Sequence, residues 1–297
     1  MKEFLLKIVL FFFIIAGIDF LMGICFDYMA SKSTLTDFGR DNHICNTGTE
    51  DLLVFGSSRA LHHYNTGMMT DSLGLACYNC GEDGQGIILN YGRLQMLKQR
   101  HEPKVIIYDL EPNYDVNTCD NHQFIKWLKP HCNRKGVMDI IASVDSTERF
   151  KLLSRLYRYN TEFLTLLTAM KHVGEQEKGT GYNPLSGTLN EAKKNAKHTP
   201  ASYESDSLKL HYLEAMIQTF DDATILFVVS PAWNGKDMKS LEPAKRLCDK
   251  YKISFIDYSN SPKYIHQDKY YTDVLHLNNR GADEFTKDII TILKDIQ

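Results

Sequence analysis

The chain has 297 residues, is 43% hydrophobic and 24% charged, and carries a formal net charge of -3. That balance describes a globular protein with room for one large domain or two small ones. Near-neutral charge, with no basic stripe and no Cys/His finger spacing, argues against nucleic acid as a partner.

The first predicted element is apolar. From Phe4 to Phe26 almost every residue is hydrophobic, interrupted by Lys7 and Asp19. A helix of about 20 residues crosses the roughly 30 Å hydrocarbon layer. Residues 1–30 are therefore expected to form an N-terminal transmembrane signal anchor, with Asp19 near the far interface. Lys2 and Lys7 precede the run, which places the N-terminus in the cytoplasm and the bulk on the extracytoplasmic, periplasmic side of the inner membrane. A cleaved signal peptide wants a small-residue exit, which Gly23-Ile24-Cys25 and Tyr28-Met29-Ala30 match poorly. Bulky Ile24 also disfavours Cys25 as a lipoprotein cysteine.

Residues 31–49 are polar, lack periodicity and read as a linker. Short β-branched runs then alternate with helical patterns. The strands are expected at Asp51–Phe55, Leu75–Asn79, Val105–Leu110, Thr224–Val229 and Ile253–Asp257. Helical spacing marks Gly86–Arg100, Ser207–Phe220, Leu241–Tyr251 and Gly281–Ile296. Continuous apolar strands are covered on both faces, as in a parallel sheet. The expected fold of 50–297 is a three-layer α/β/α, flavodoxin-like domain with about five parallel strands. Residues at about 115–205 break the alternation and read as an insertion, helical through Ala169 and then a polar loop from Lys171 to Tyr203. Such an insertion is suited to be a wall or lid of a cleft. Cys77-x-x-Cys80 has redox or zinc spacing but no second pair, so two packed thiols are expected. Cys119 and Cys132 are candidates for a disulfide in an oxidising compartment.

Ser58 follows the first strand in Phe55-Gly-Ser-Ser-Arg59. The glycine permits a tight turn that exposes a hydroxyl at a helix N-terminus, where free N–H groups favour a developing oxyanion. By itself Gly-Ser-Ser also suits an ordinary helix cap. Near the other end, Asp273 and His276 stand three apart in Tyr271-Thr-Asp-Val-Leu-His-Leu-Asn278. That spacing lets a carboxylate reach the imidazole Nδ1–H. It also occurs in structural pairs and metal-ligand fragments, although the other histidines complete no metal set.

Together, Gly56-Ser57-Ser58, Asn79 with Gly84, Asn113, and Asp273-Val-Leu-His276 resemble the ordered blocks of SGNH (GDSL-like) hydrolases. The resemblance spans about Asp51 to Gln297 outside the insertion. It implies Ser58 as nucleophile, His276 as base and Asp273 as its orienting carboxylate. It further implies an oxyanion hole of the Ser58 and Gly84 N–H groups and the Asn113 amide. Ser57 stands where the family commonly has Asp, and Glu111-Pro112-Asn113-Tyr114 replaces the usual Gly-x-Asn-Asp. These departures bring the chain nearer the membrane-anchored branch, whose members resemble it in anchor and Gly-Ser-Ser and often acylate cell-envelope polymers.

Arg59 and Trp233 are candidate substrate contacts. The implied function is a serine esterase or O-acyltransferase acting on a small acyl ester or an envelope polysaccharide, with no cofactor and no metal. A membrane acyl-transfer partner would suit the transferase. The alternative is a non-catalytic, membrane-tethered accessory protein that keeps the fold.

Overall fold

Five short runs form a parallel sheet, its three central strands rich in Val, Ile, Leu and Phe and buried almost throughout, its edge strand β5 partly open: β1 Leu52–Gly56, β2 Cys77–Asn79, β3 Val105–Asp109, β4 Thr224–Val229 and β5 Ser254–Asp257. The strand order is β2-β1-β3-β4-β5, and every pairing is parallel. The computed structural model describes residues 1–34, 36–160, 162–169, 179–194, 204–235 and 237–296. Contacts divide the chain into two units, Met1–Thr47 with Asn121–Glu177, and Gly48–Asp120 with Lys178–Gln297.

The second unit holds the sheet. Side chains alternate faces along each strand, so Leu52, Val54, Val105, Ile107, Leu226 and Val228 share one side. There they pack with Phe285, Ile289 and Leu293 of helix Asn279–Ile296 and with Tyr64 and Met69. On the other face, Tyr108 meets Phe227 with ring centroids 5.9 Å apart. Helices Ile87–Lys98 and Ser207–Thr219 adjoin one another through Tyr91 and Tyr212, 5.0 Å between centroids. The fold is thus α/β, a five-stranded parallel sheet with helices on both sides, as expected from sequence. Strand and helix ends lie within two residues of the expected ones.

The first unit is helical. It comprises the N-terminal helix Lys2–Lys32, helix Thr36–Asn42, a π-helical turn at His43–Thr47, and the short helices of 121–169. The stretch read as a linker, 31–49, therefore contains two short helical segments. Phe38 packs edge-on to Trp127 at 5.1 Å, and Phe26 to Tyr159 at 5.8 Å. The N-terminal helix is long and apolar enough to cross a membrane.

The segment expected as one insertion is shared between the units, 121–177 with the first and the remainder with the second. Of the expected Lys171–Tyr203 loop, 170–178 and 195–203 lie outside the described residues. The part between them runs across the strand ends. Thr180 O accepts from Asn79 N at 2.7 Å, and Asn183 N donates to Leu61 O at 3.2 Å. Leu189 N donates to Tyr271 O at 2.7 Å, and Leu185 O accepts from Asn279 N at 2.8 Å.

Candidate active site

β1 ends at Gly56, in register with Asp109 at the end of β3. Gly56 has φ +144°, and a Cβ there would sit 2.6 Å from the Asp109 carbonyl oxygen. Only glycine fits this exit. Ser57 follows in extended conformation, and Ser58 begins helix Ser58–His63. The Ser57 side chain is buried, whereas Ser58 is partly exposed. The turn thus presents the second serine of the pair, at a helix start where the backbone N–H has no intrahelical acceptor.

Asp273 and His276 lie on the loop leading into helix Asn279–Ile296. Asp273 Oδ1 accepts from the backbone N–H of Leu275 at 2.8 Å and of His276 at 2.9 Å. His276 Nδ1 is 3.0 Å from Asp273 Oδ2, and Nε2 is 2.8 Å from Ser58 Oγ. With Nδ1–H donating to the carboxylate, Nε2 is left to accept the serine proton. Burial pushes the Asp273 carboxyl up, but the hydrogen bond and charge of His276 and the two backbone donors outweigh it and hold it at about 2. The carboxylate is therefore ionised throughout the neutral range.

A second histidine fixes the first. Fully buried His63 accepts from Leu277 N at its Nε2, 3.0 Å away, which leaves Nδ1–H to donate to Ser230 Oγ at 3.0 Å. The helix that carries Ser58 thereby grips the loop that carries His276 one residue from the imidazole. His62 stands edge-on to His276, ring centroids 5.7 Å apart, with Nδ1 2.6 Å from Asn183 O and Nε2 3.1 Å from Asp83 Oδ1. The sequence drew attention to His62 and His63 only as metal candidates without partners. Their place four and five residues after the serine, on the same short helical stretch, was the available signal.

Gly84 lies in the turn after β2 with φ +66°, partly exposed. Asn79, which ends β2, donates from Nδ2 to Ala60 O at 2.7 Å and Tyr64 O at 3.1 Å, and accepts from Gly81 N at 2.9 Å. It holds this loop against the serine helix. Asn113 is partly exposed in the single helical turn Pro112–Asp115 beyond β3. That turn is anchored from below. Lys209 Nζ donates to Asn113 O at 2.9 Å and to Asn117 O at 2.6 Å. Asp115 accepts from Tyr108 Oη and Glu111 N, both at 2.7 Å. Complete burial raises the Asp115 carboxyl to about 7, against those hydrogen bonds and the nearby Lys209.

Arg59, expected as a substrate contact, is instead 1% exposed. Its guanidinium binds Ser230 O, Leu110 O and the carboxylates of Glu111 and Asp109. One residue further round the helix from Ser58 points into the core rather than the cleft, and the ion pairs balance its buried charge. Trp233 sits beyond β4, its backbone N–H on Val274 O at 3.0 Å and its indole N–H on Asp268 Oδ1 at 2.8 Å. It therefore flanks the loop of Asp273. Cys77 and Cys80 are buried and not joined by a disulfide, and Cys119 and Cys132 do not form the expected disulfide; Lys209 Nζ lies 3.0 Å from Cys119 Sγ.

No family model and no curated protein matches the chain. Among solved structures, a Streptococcus pneumonia protein assigned provisionally as a platelet activating factor is 12% identical, covering 91% of this chain and 98% of its own, with a TM-score of 0.41. An acetyl xylan esterase from the rumen bacterium Butyrivibrio proteoclasticus is 8% identical, covering 82% of this chain and 63% of its own, with a TM-score of 0.36. Both likenesses are loose, and the reading of the site rests on its own geometry.

Proposed function

We propose that the chain is a serine-dependent acyl-ester hydrolase or O-acyltransferase of the SGNH type. The observation that carries this is the continuous relay from Asp273 through His276 to Ser58 Oγ at the carboxyl ends of a parallel sheet. His276 Nε2 takes the hydroxyl proton as Ser58 Oγ bonds to the ester carbonyl carbon. The carbonyl π pair moves onto oxygen, where the N–H groups of Ser58 and Gly84 and the Asn113 amide are the proposed donors. When the tetrahedral species collapses, the ester C–O bond breaks and His276 returns the proton to the leaving alcohol. The acyl group remains on Ser58. Water, or the hydroxyl of a second substrate, gives its proton to His276 and attacks the acyl carbon; the acyl–Oγ bond then breaks and His276 returns the proton to Ser58 Oγ. Asp273 keeps its charge throughout and stabilises the imidazolium.

The N-terminal helix supports an anchored enzyme, and Lys2 and Lys7 before the apolar run support an extracytoplasmic site on the inner membrane. Small acyl esters, including those of an envelope polysaccharide, are the substrate class proposed there. A transferase would receive its acyl group from a membrane partner. Trp233, beside the Asp273 loop, is the proposed substrate-facing aromatic residue.

The test is fluorophosphonate labelling of the full chain in detergent, wild type against Ser58→Ala and His276→Ala. A labelled wild type with both variants silent is expected. A folded wild type that neither labels nor hydrolyses p-nitrophenyl acetate would instead indicate the accessory protein.

A further inference from the structure

Asp19 is the place where the N-terminal helix departs from a simple anchor. It lies fifteen residues beyond Phe4, about 22 Å along a helix that rises 1.5 Å per residue. If the span begins at Phe4, the roughly 30 Å hydrocarbon layer extends about 8 Å past this carboxylate. A charge at that depth requires partners. The structure supplies them from one turn of the same unit. Ser154 Oγ donates at 2.5 Å, Arg155 N at 2.9 Å and Leu156 N at 3.2 Å, all to Asp19.

The arm of Arg155 then runs along the helix. A Cβ on Gly23 would lie 2.2 Å from Arg155 Cβ, so glycine opens the channel for it. Its guanidinium stacks 4.7 Å from the Phe20 ring and pairs with Asp27 at 3.3 Å. Asp27 is a further two turns towards the far surface, and the charge thus leads out of the layer.

The residues just before this turn adjoin the same level of the helix, and helix Phe163–Ala169 meets it two turns nearer the far surface, where Phe163 lies 5.6 Å from Phe26 between centroids. Those neighbours are apolar and uncovered. Phe150 is 76% exposed, Leu153 78% and Leu164 76%, with Leu167 also exposed. Exposed apolar side chains grouped beside a membrane-length helix mark a contact surface. Arg149 and Lys151, which flank Phe150, pair with Asp139 and with Asp145 and Glu148, and their long arms can carry the charge towards the headgroups.

We propose that residues 148–160 and 162–169 form a collar sunk into the outer leaflet, with Phe150, Leu153, Leu164 and Leu167 among the acyl chains. The occupant of this surface is the lipid itself. The proposal rests on the reading that the N-terminal helix spans the membrane. It deepens that reading, because the first unit becomes part of the membrane domain rather than a tether.

The test reconstitutes the full chain in phosphatidylcholine–phosphatidylglycerol vesicles doped with a lipid bearing a diazirine within its acyl chain. After irradiation, labelled peptides are mapped by mass spectrometry. Label is expected on the N-terminal helix and also on the peptides carrying Phe150, Leu153, Leu164 and Leu167. A Phe150→Asp, Leu153→Asp variant should lose label at 148–156 while the helix stays labelled. Label confined to the helix would overturn the collar and leave the span standing. No label on either would overturn both. Crosslinking of 148–169 in native membranes to a second protein, with no lipid adduct, would overturn lipid as the occupant.

Discussion

Replacing His63 with Phe keeps the volume of a fully buried ring and removes both of its hydrogen bonds. Leu277 N–H is then left without an acceptor inside the core, which costs about 1–3 kcal/mol, and the lost bond to Ser230 adds about 1 kcal/mol. For a unit of this size each kcal/mol lowers Tm by about 2–4 °C, giving a fall of about 5–15 °C. The catalytic effect is larger in proportion. Leu277 is covalently next to His276, and a displacement of about 1 Å at a reacting group lowers rate on the order of 100-fold. The assay pairs thermal unfolding with the pseudo-first-order rate of fluorophosphonate labelling at a temperature where the variant is folded. His63→Gln, whose amide oxygen can accept from Leu277, should recover part of the rate. A folded His63→Phe that labels as fast as wild type would refute the role given to His63 in positioning the base.

Asp273→Asn should lower the labelling rate on the order of 1,000- to 10,000-fold, because the imidazole loses the partner that sets its tautomer. Its effect on stability should be slight, since the carboxylate is half open to solvent. A carboxyl held at about 2 contributes stability above its unfolded value near 3.9 and loses it only as pH falls through 2. Urea titrations at successive acidic pH values, wild type against Asp273→Asn, check this. Asp115 has the opposite sign. Its carboxyl, raised to about 7 in the fold, favours the folded state below pH 4 and loses that contribution as pH rises through 7. The difference between wild type and Asp115→Asn in urea stability should therefore change by up to about 4 kcal/mol between those limits, and a flat difference would contradict the raised value. Gly56→Ala places a Cβ 2.6 Å from the Asp109 carbonyl oxygen at φ +144°. It should cost on the order of 3 kcal/mol and slow labelling together, as read by thermal unfolding and probe kinetics.

The sheet was legible because period and composition are local properties. Val105–Asp109 and Thr224–Val229 are runs whose burial on both faces follows from their own residues. The positions of Ser58, Asp273 and His276 were legible as spacing within motifs, and the structure brings the three within hydrogen-bond reach. Arg59 was not, because a helix turns about 100° per residue and sends the residue after an exposed serine into the core. His63 was not, because its partners Ser230 and Leu277 are more than 160 residues away in sequence. The sharing of 115–205 between two units was hidden for the same reason. Its first part is held by residues near the N-terminus, through contacts such as Phe38 with Trp127 and Asp41 with His131.

The serine and the imidazole that faces it are separated by 218 residues of chain. A serine without that imidazole is an ordinary alcohol. Before the later segments have folded, the early part of the chain therefore carries no activated oxygen. The proposed chemistry begins only when the last strand is in place and the following loop closes on His63. Timing is thus written into the order of the residues, since Ser58 cannot be activated before the loop of His276 has been made and folded.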